Sequence, residues 1–114
     1  LGPDHPDTLG TRNNLALVHQ QAGHLSTAID MHQALLTDRT RLLGPDHPDT
    51  LGTRSNLAGA HYAAGDLQTA IDMCKALLSD LARILGPDHP HTLAISQLLS
   101  VLRRRGGGAE KNQQ

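Results

Sequence analysis

Aromatic side chains are almost missing from this chain. Tyr62 stands alone, with no Phe and no Trp in 114 residues. Any core must therefore be built from Leu, Ala, Ile, Val and Met, which bury less area each, and modest stability is expected. Cysteine is as scarce: Cys74 is the only one. An intrachain disulfide is excluded, and a reducing, cytoplasmic setting is expected. No apolar run approaches the roughly 18 residues of a membrane span, and no signal-peptide pattern opens the chain, so no membrane partner is expected. Charge of one sign is missing too. The net charge is −1, and polyanion binding needs a basic stripe, so nucleic acid is not an expected partner. Glutamate and lysine are nearly absent: Asp outnumbers Glu ten to one and Arg outnumbers Lys eight to two. That bias resembles a high-GC bacterial source.

What is present is repetition. Residues 1–42 and 43–84 match at 29 of 42 aligned positions, and a third copy begins at Leu85. LGPDHPDTLGTR opens both full copies and LGPDHPHTL opens the third. A fixed period in this range marks a solenoid, whose units bury their apolar faces only against neighbours. Such a fold makes a surface more readily than a catalytic pocket. Two full units and part of a third lie close to the minimum of about three that such arrays need. The chain begins at a repeat edge without Met, and reads as a piece of a longer array.

Each unit reads as two helices. The first starts at a proline, Pro6 or Pro48, the residue favoured where a missing N–H costs nothing. Asp7 and Asp49 place negative charge in the first turn, against the positive end of the helix dipole. Gly23 and Gly65 break the chain before the second helix, and Gly-Pro pairs at Pro3 and Pro45 stop the preceding one. In the second unit Leu67, Ala70, Ile71, Cys74, Leu77, Leu78, Leu81, Ile84 and Leu85 follow helical spacing without interruption. The first unit keeps that stripe except at His32 and Arg39. No period-two alternation supports a strand.

The expected organisation is all-α, an α-α superhelical solenoid of five helices in about two and a half repeats. Repeat 1 spans 1–42, with helices near 6–22 and 25–43. Repeat 2 spans 43–84, with helices near 48–64 and 67–85. Residues 85–105 form a C-terminal capping helix, with Arg103, Arg104 and Arg105 in its last turn and Gly106 beyond. Residues 106–114 read as a polar, disordered tail.

Reactive chemistry is sparse. Eight histidines invite a metal reading, but His5, His47 and His89 recur one repeat apart. Packed helices separate them by about 10 Å, whereas zinc ligands sit about 2.0–2.1 Å from the ion. These three read as turn and cap residues, while His19, His32 and His61 read as packing residues. No CxxC, HExxH or Walker lysine is present, and no cofactor or metal is expected. Cys74 lies inside an apolar stripe and reads as an inert core thiol. The three arginines read as a solvated helix end, and catalysis is not expected.

The stretches NNLALVHQQAGHLSTAIDM and SNLAGAHYAAGDLQTAIDM resemble the tetratricopeptide repeat, in its 42-residue kinesin-light-chain-like form, from Leu1 to about Arg105. His19, His61, His32 and Cys74 depart from the aromatics usual at those places, and Thr27 and Thr69 from the usual Glu. The resemblance implies that first helices line a concave groove that holds an extended peptide. By position the groove comprises Asn13, Asn14, Leu17 and Gln20, then Ser55, Asn56, Gly59 and Tyr62, then Gln97, Val101 and Arg104. Asn14 and Asn56 match the asparagine that clamps ligand backbone in peptide-binding relatives, while Leu98 breaks that series. The implied function is a non-catalytic scaffold for a protein or peptide segment. The alternative is a structural spacer or self-stacking fragment of a larger regulatory, NTPase or signalling protein. An exposed apolar edge at Leu9, Leu15, Leu25 and Ile29 would drive such self-association.

Overall fold

The computed structural model describes the backbone of residues 1–113 and side chains through Gly106. Helix α1 is Pro6–Gln21, α2 Leu25–Leu43, α3 Pro48–Ala63, α4 Leu67–Leu85 and α5 Pro90–Gln113. Each helix packs principally against its neighbours in sequence. The result is a slab of 55 × 34 × 19 Å.

The helix starts are built by short-range bonds. The Nδ1 of His5 accepts the backbone N–H of Asp7 at 3.1 Å, and the Nδ1 of His47 accepts that of Asp49 at 3.0 Å. His89 does the same for His91 at 3.1 Å. These histidines occupy the N-cap, accepting an N–H that would otherwise lack a partner in the first turn. Gly44 and Gly86 close α2 and α4 at φ 93°, a conformation that an L side chain resists. Their N–H groups donate to Thr40 and Ala82 carbonyls.

Three helix ends differ from the sequence reading. α1 and α3 stop at Gln21 and Ala63, one residue early. The backbone of α5 stays helical through Gln113, where the sequence suggests an end at Arg105 and a disordered tail over 106–114. The glycines with positive φ are Gly23, Gly44, Gly65 and Gly86. Gly106 is not among them and so makes no left-handed stop. Side chains of residues 107–113 and the whole of Gln114 lie outside the described residues.

Burial is uneven between the units. The main core cluster joins Leu51, Ala58, Ala70, Cys74, Leu77, Leu81, Ile95, Leu99 and Leu102, all in α3, α4 and α5. Leu57 is 1% exposed beneath the preceding unit, whereas its counterpart Leu15 is 47% exposed. Ala60 is fully buried, while Val18 at the same register is 58% exposed. Among the described residues, no helix lies against that side of α1. Leu9, expected on the open edge, is buried, and Leu25 and Ile29 are half-buried. The reason is register: Leu9 lies on the inward side with Ala16, the other buried residue of α1.

An ion-pair network that the sequence reading missed clips each unit together. Arg12 meets Asp38 at 2.7 Å and Arg41 meets Asp4 at 3.1 Å. Arg54–Asp80 at 2.7 Å and Arg83–Asp46 at 3.1 Å repeat the pattern. The signal was available, because the two pairs of the first unit recur at the same places of the period in the second. Hydrogen bonds from Arg12, then from Arg41, hold the Asp38 carboxyl below the usual range. Arg54 does the same for Asp80.

Candidate functional site

The first helices of the units, α1, α3 and α5, carry every residue expected in the groove. The structure brings some of these residues into contact. Asn56 Nδ2 donates to Asn13 Oδ1 at 3.0 Å, linking α3 to α1. Asn56 is half-buried and keeps its own oxygen and a second N–H for other partners. Asn14 is exposed, Leu17 and Val101 are half-buried, and Gln97 and Arg104 are exposed.

Gln20 and Tyr62 turn toward the helices packed beneath. Gln20 Oε1 lies 3.2 Å from Nε2 of His32, which is fully buried in α2. A methyl group at Gly59 would meet Gln20 Nε2 at 4.0 Å, an ordinary van der Waals contact that leaves Gln20 in place. Tyr62 packs against the core cluster, and the Arg105 guanidinium carbon lies 5.2 Å from its ring centroid. This is cation–π distance. Tyr62 is thus half-buried beside α5, with Arg105 over its ring.

The sequence reading missed an apolar concavity. A cleft of about 480 Å³ opens between α3 and α5. Its walls are mainly apolar: Leu51 from α3, Leu77, Leu81, Ile84 and Leu85 from α4, and Ala94 and Ile95 from α5. Asp46, Ser55, His89 and His91 supply its polar lining. Gly52 also lines it, and a Cβ there would meet nothing within 4 Å. Among the expected groove residues, only Ser55 contributes to this lining.

Two of the lining positions change from polar to apolar between the repeats. Leu81 and Ile95 stand where the earlier gap has Arg39 and Thr53. There, Arg39 donates to Thr53 Oγ1 at 2.9 Å, so a polar bond fills the corresponding place. A sequence signal existed, since Arg39 already interrupts the first apolar stripe. The cavity itself follows only from the approach of α5 to α3.

Cys74 and His32 are accounted for by packing, and His5, His47 and His89 by capping. Cys74 is buried, and burial pushes its thiol up from the ordinary value. His32 is fully buried and its burial lowers its pKa, which favours the neutral ring. His19 and His61 are half-buried and do not serve as plain packing residues. Each faces the residue at the N-cap of the next helix, His24 at 3.2 Å and Asp66 at 3.6 Å. Among the described residues, no three His, Cys, Asp or Glu side chains gather as a metal cluster. No described helix is long and apolar enough to cross a membrane.

The same two-helix period recurs in known proteins. Two solved structures are similar to the chain, both of a Podosopora anserina protein with nearly identical tetratricopeptide-like repeats assigned as a kinesin light chain. The first is 26% identical over 93% of this chain, with a TM-score of 0.79. The second, a point-substituted form of that protein, is 25% identical over 99% of the chain, with a TM-score of 0.81. The chain spans about half the length of those structures, 50% and 53%. No curated protein matches it. The tetratricopeptide repeat family model matches residues 7–78 and again 50–111, nearly the whole chain. With five sequentially packed helices of that period, the chain belongs to the tetratricopeptide repeat family.

Proposed function

We propose that this domain is a non-catalytic scaffold that holds an extended segment of another protein along the face of α1, α3 and α5. The observation that carries this reading is the apolar cleft between α3 and α5, lined by Leu51, Leu81 and Ile95 with Ser55 at its edge. It is large enough to take an apolar side chain from a bound segment. Asn14 and the free valences of Asn56 supply donors and acceptors for the segment's peptide groups, whatever its sequence. Leu17, Val101, Gln97 and Arg104 continue the same contact surface. A cytoplasmic setting belongs to this proposal, supported by the lone buried thiol of Cys74. A bacterial source is supported by the Arg and Asp bias of the composition.

A peptide array tests the reading. Gly52→Leu fills the cleft from a helical position with open space, so it blocks the site without backbone strain. Peptides captured by the wild-type protein should be lost by Gly52→Leu and weakened by Asn14→Ala/Asn56→Ala. If captured peptides bind both variants unchanged, the groove is not the binding face.

A second reading rests on Leu15 and Val18, exposed in α1 where Leu57 and Ala60 of α3 are buried. Here the domain is a spacer or stacking element of a larger regulatory protein, joined to a neighbour through this edge. Light scattering across a concentration series should then show association that Leu15→Asp/Val18→Asp abolishes.

A further inference from the structure

We propose that His19 and His24 form a two-imidazole site for a single divalent transition-metal ion, at the turn that joins α1 to α2. Their Nδ1 atoms lie 3.2 Å apart, with ring centroids at 5.4 Å and planes tilted by 43°. Two nitrogens bound about 2.0–2.1 Å from a common ion at tetrahedral angles lie about 3.3–3.4 Å apart. The pair therefore already has the separation that chelation requires.

The backbone holds this spacing. The N–H of His24 donates to the carbonyl of His19 at 2.9 Å, and that of Gly23 to Gln20 at 3.1 Å. The turn is closed before any ion arrives, so binding orders little more than the χ1 and χ2 torsions of two side chains.

A comparison with the second unit supplies an independent observation. Asp66 occupies the place of His24 and caps α4, accepting the Thr69 N–H at 3.3 Å. His24 makes no side-chain cap bond to α2. Its ring only faces His19 at 3.2 Å, whereas Asp66 both caps α4 and faces His61 at 3.6 Å. A residue that faces a second imidazole and makes no cap bond fits ligation better than capping.

No covalent or redox step is involved. In the metal-free pair one Nδ1 carries the proton and the other accepts it. On binding, that proton moves to Nε2 of the same ring through solvent, and both Nδ1 lone pairs bond the ion. No third His, Cys, Asp or Glu joins the pair among the described residues. Water completes the coordination, and the ion stays exchangeable. Imidazole donors select Cu²⁺, Ni²⁺ and Zn²⁺, whereas Ca²⁺ and Mg²⁺ prefer oxygen.

Tag-free full chain titrated with NiCl₂, ZnCl₂ or CaCl₂ tests the site, read by thermal unfolding and by ¹⁵N signals of the histidine rings. The first equivalent of Zn²⁺ should shift the ring nitrogens of His19 and His24 before those of the other six histidines. Saturating Ni²⁺ should raise the unfolding midpoint by about 5 °C, and CaCl₂ should leave it unchanged. His24→Ser restores a capping side chain while deleting a ligand, and His19→Gln deletes the other. Each should weaken Ni²⁺ binding about tenfold or more while its metal-free midpoint stays near wild type. Equal Ni²⁺ affinity in wild type and His24→Ser would overturn the proposal. So would a first Zn²⁺ equivalent that shifts His89 and His91 instead.

Discussion

Asn56 on α3 donates its side-chain amide to the side-chain oxygen of Asn13 on α1 at 3.0 Å, tying two first helices across a repeat boundary. The two residues lie 43 positions apart, one more than the repeat length, so the bond steps diagonally between adjacent units. The same asparagine then serves both the inter-repeat joint and the proposed binding face. Stability and ligand capture are coupled at this point.

That coupling is measurable. Asn13→Ala and Asn56→Ala, alone and together, form a double-mutant cycle in urea unfolding. The expected interaction energy is about 0.5–1 kcal/mol, the low end for a half-exposed neutral hydrogen bond. A value of zero would show that water replaces the contact at no cost.

Position along the array should matter more than residue identity. Leu57→Ala removes a side chain that is enclosed on all sides and should cost about 2–5 kcal/mol. Leu15→Ala, at the same register in α1, should cost within about 0.5 kcal/mol, because half of that side chain meets solvent. Equal losses in denaturant unfolding would contradict the open edge of α1.

His32 should make folding sensitive to mild acid. Burial disfavours its charged form, so its folded pKa lies below the 6.5 of the unfolded chain. The unfolded state then binds more protons as pH falls through 6.5, and stability drops with it. Above that pH the effect vanishes. His32→Cys copies the residue at the matching place in the second unit and should flatten the stability profile between pH 7 and 5. An unchanged slope would place the titration elsewhere.

Acid sensitivity of a second kind should come from Asp38 and Asp80. Hydrogen bonds from Arg12 and Arg54 hold both folded carboxyls below the ordinary 3.8. Their contribution is therefore present above about pH 4 and lost as pH falls through the lowered folded values. Asp38→Asn/Asp80→Asn should lower the unfolding midpoint at pH 7 and leave it nearly unchanged near pH 2.5. Added salt should shrink the difference at pH 7, since all the partners are solvent-accessible.

The sequence alone determined the elements whose causes are local. Proline at the first helical position, histidine at the N-cap and glycine at the C-terminus act within one turn of chain. They recur with the period, so the helix starts at Pro6, Pro48 and Pro90 were legible directly. The cap role of His5, His47 and His89 was legible for the same reason. The unbroken stripe of α4 likewise announced a helix packed on both sides.

Tertiary structure decided what depends on neighbours distant in sequence. Leu15 and Leu57 are the same residue at the same register, yet one meets solvent and the other is enclosed. The difference is whether another helix lies against it, which no local pattern encodes. The cleft is apolar where Leu81 and Ile95 stand, and the matching place holds the polar bond from Arg39 to Thr53. Gln20 and Tyr62 turned inward because a buried imidazole and an apolar core offered partners that water did not. In a solenoid the period writes each helix, but burial and cavities come from pairwise contact between units that are not quite identical.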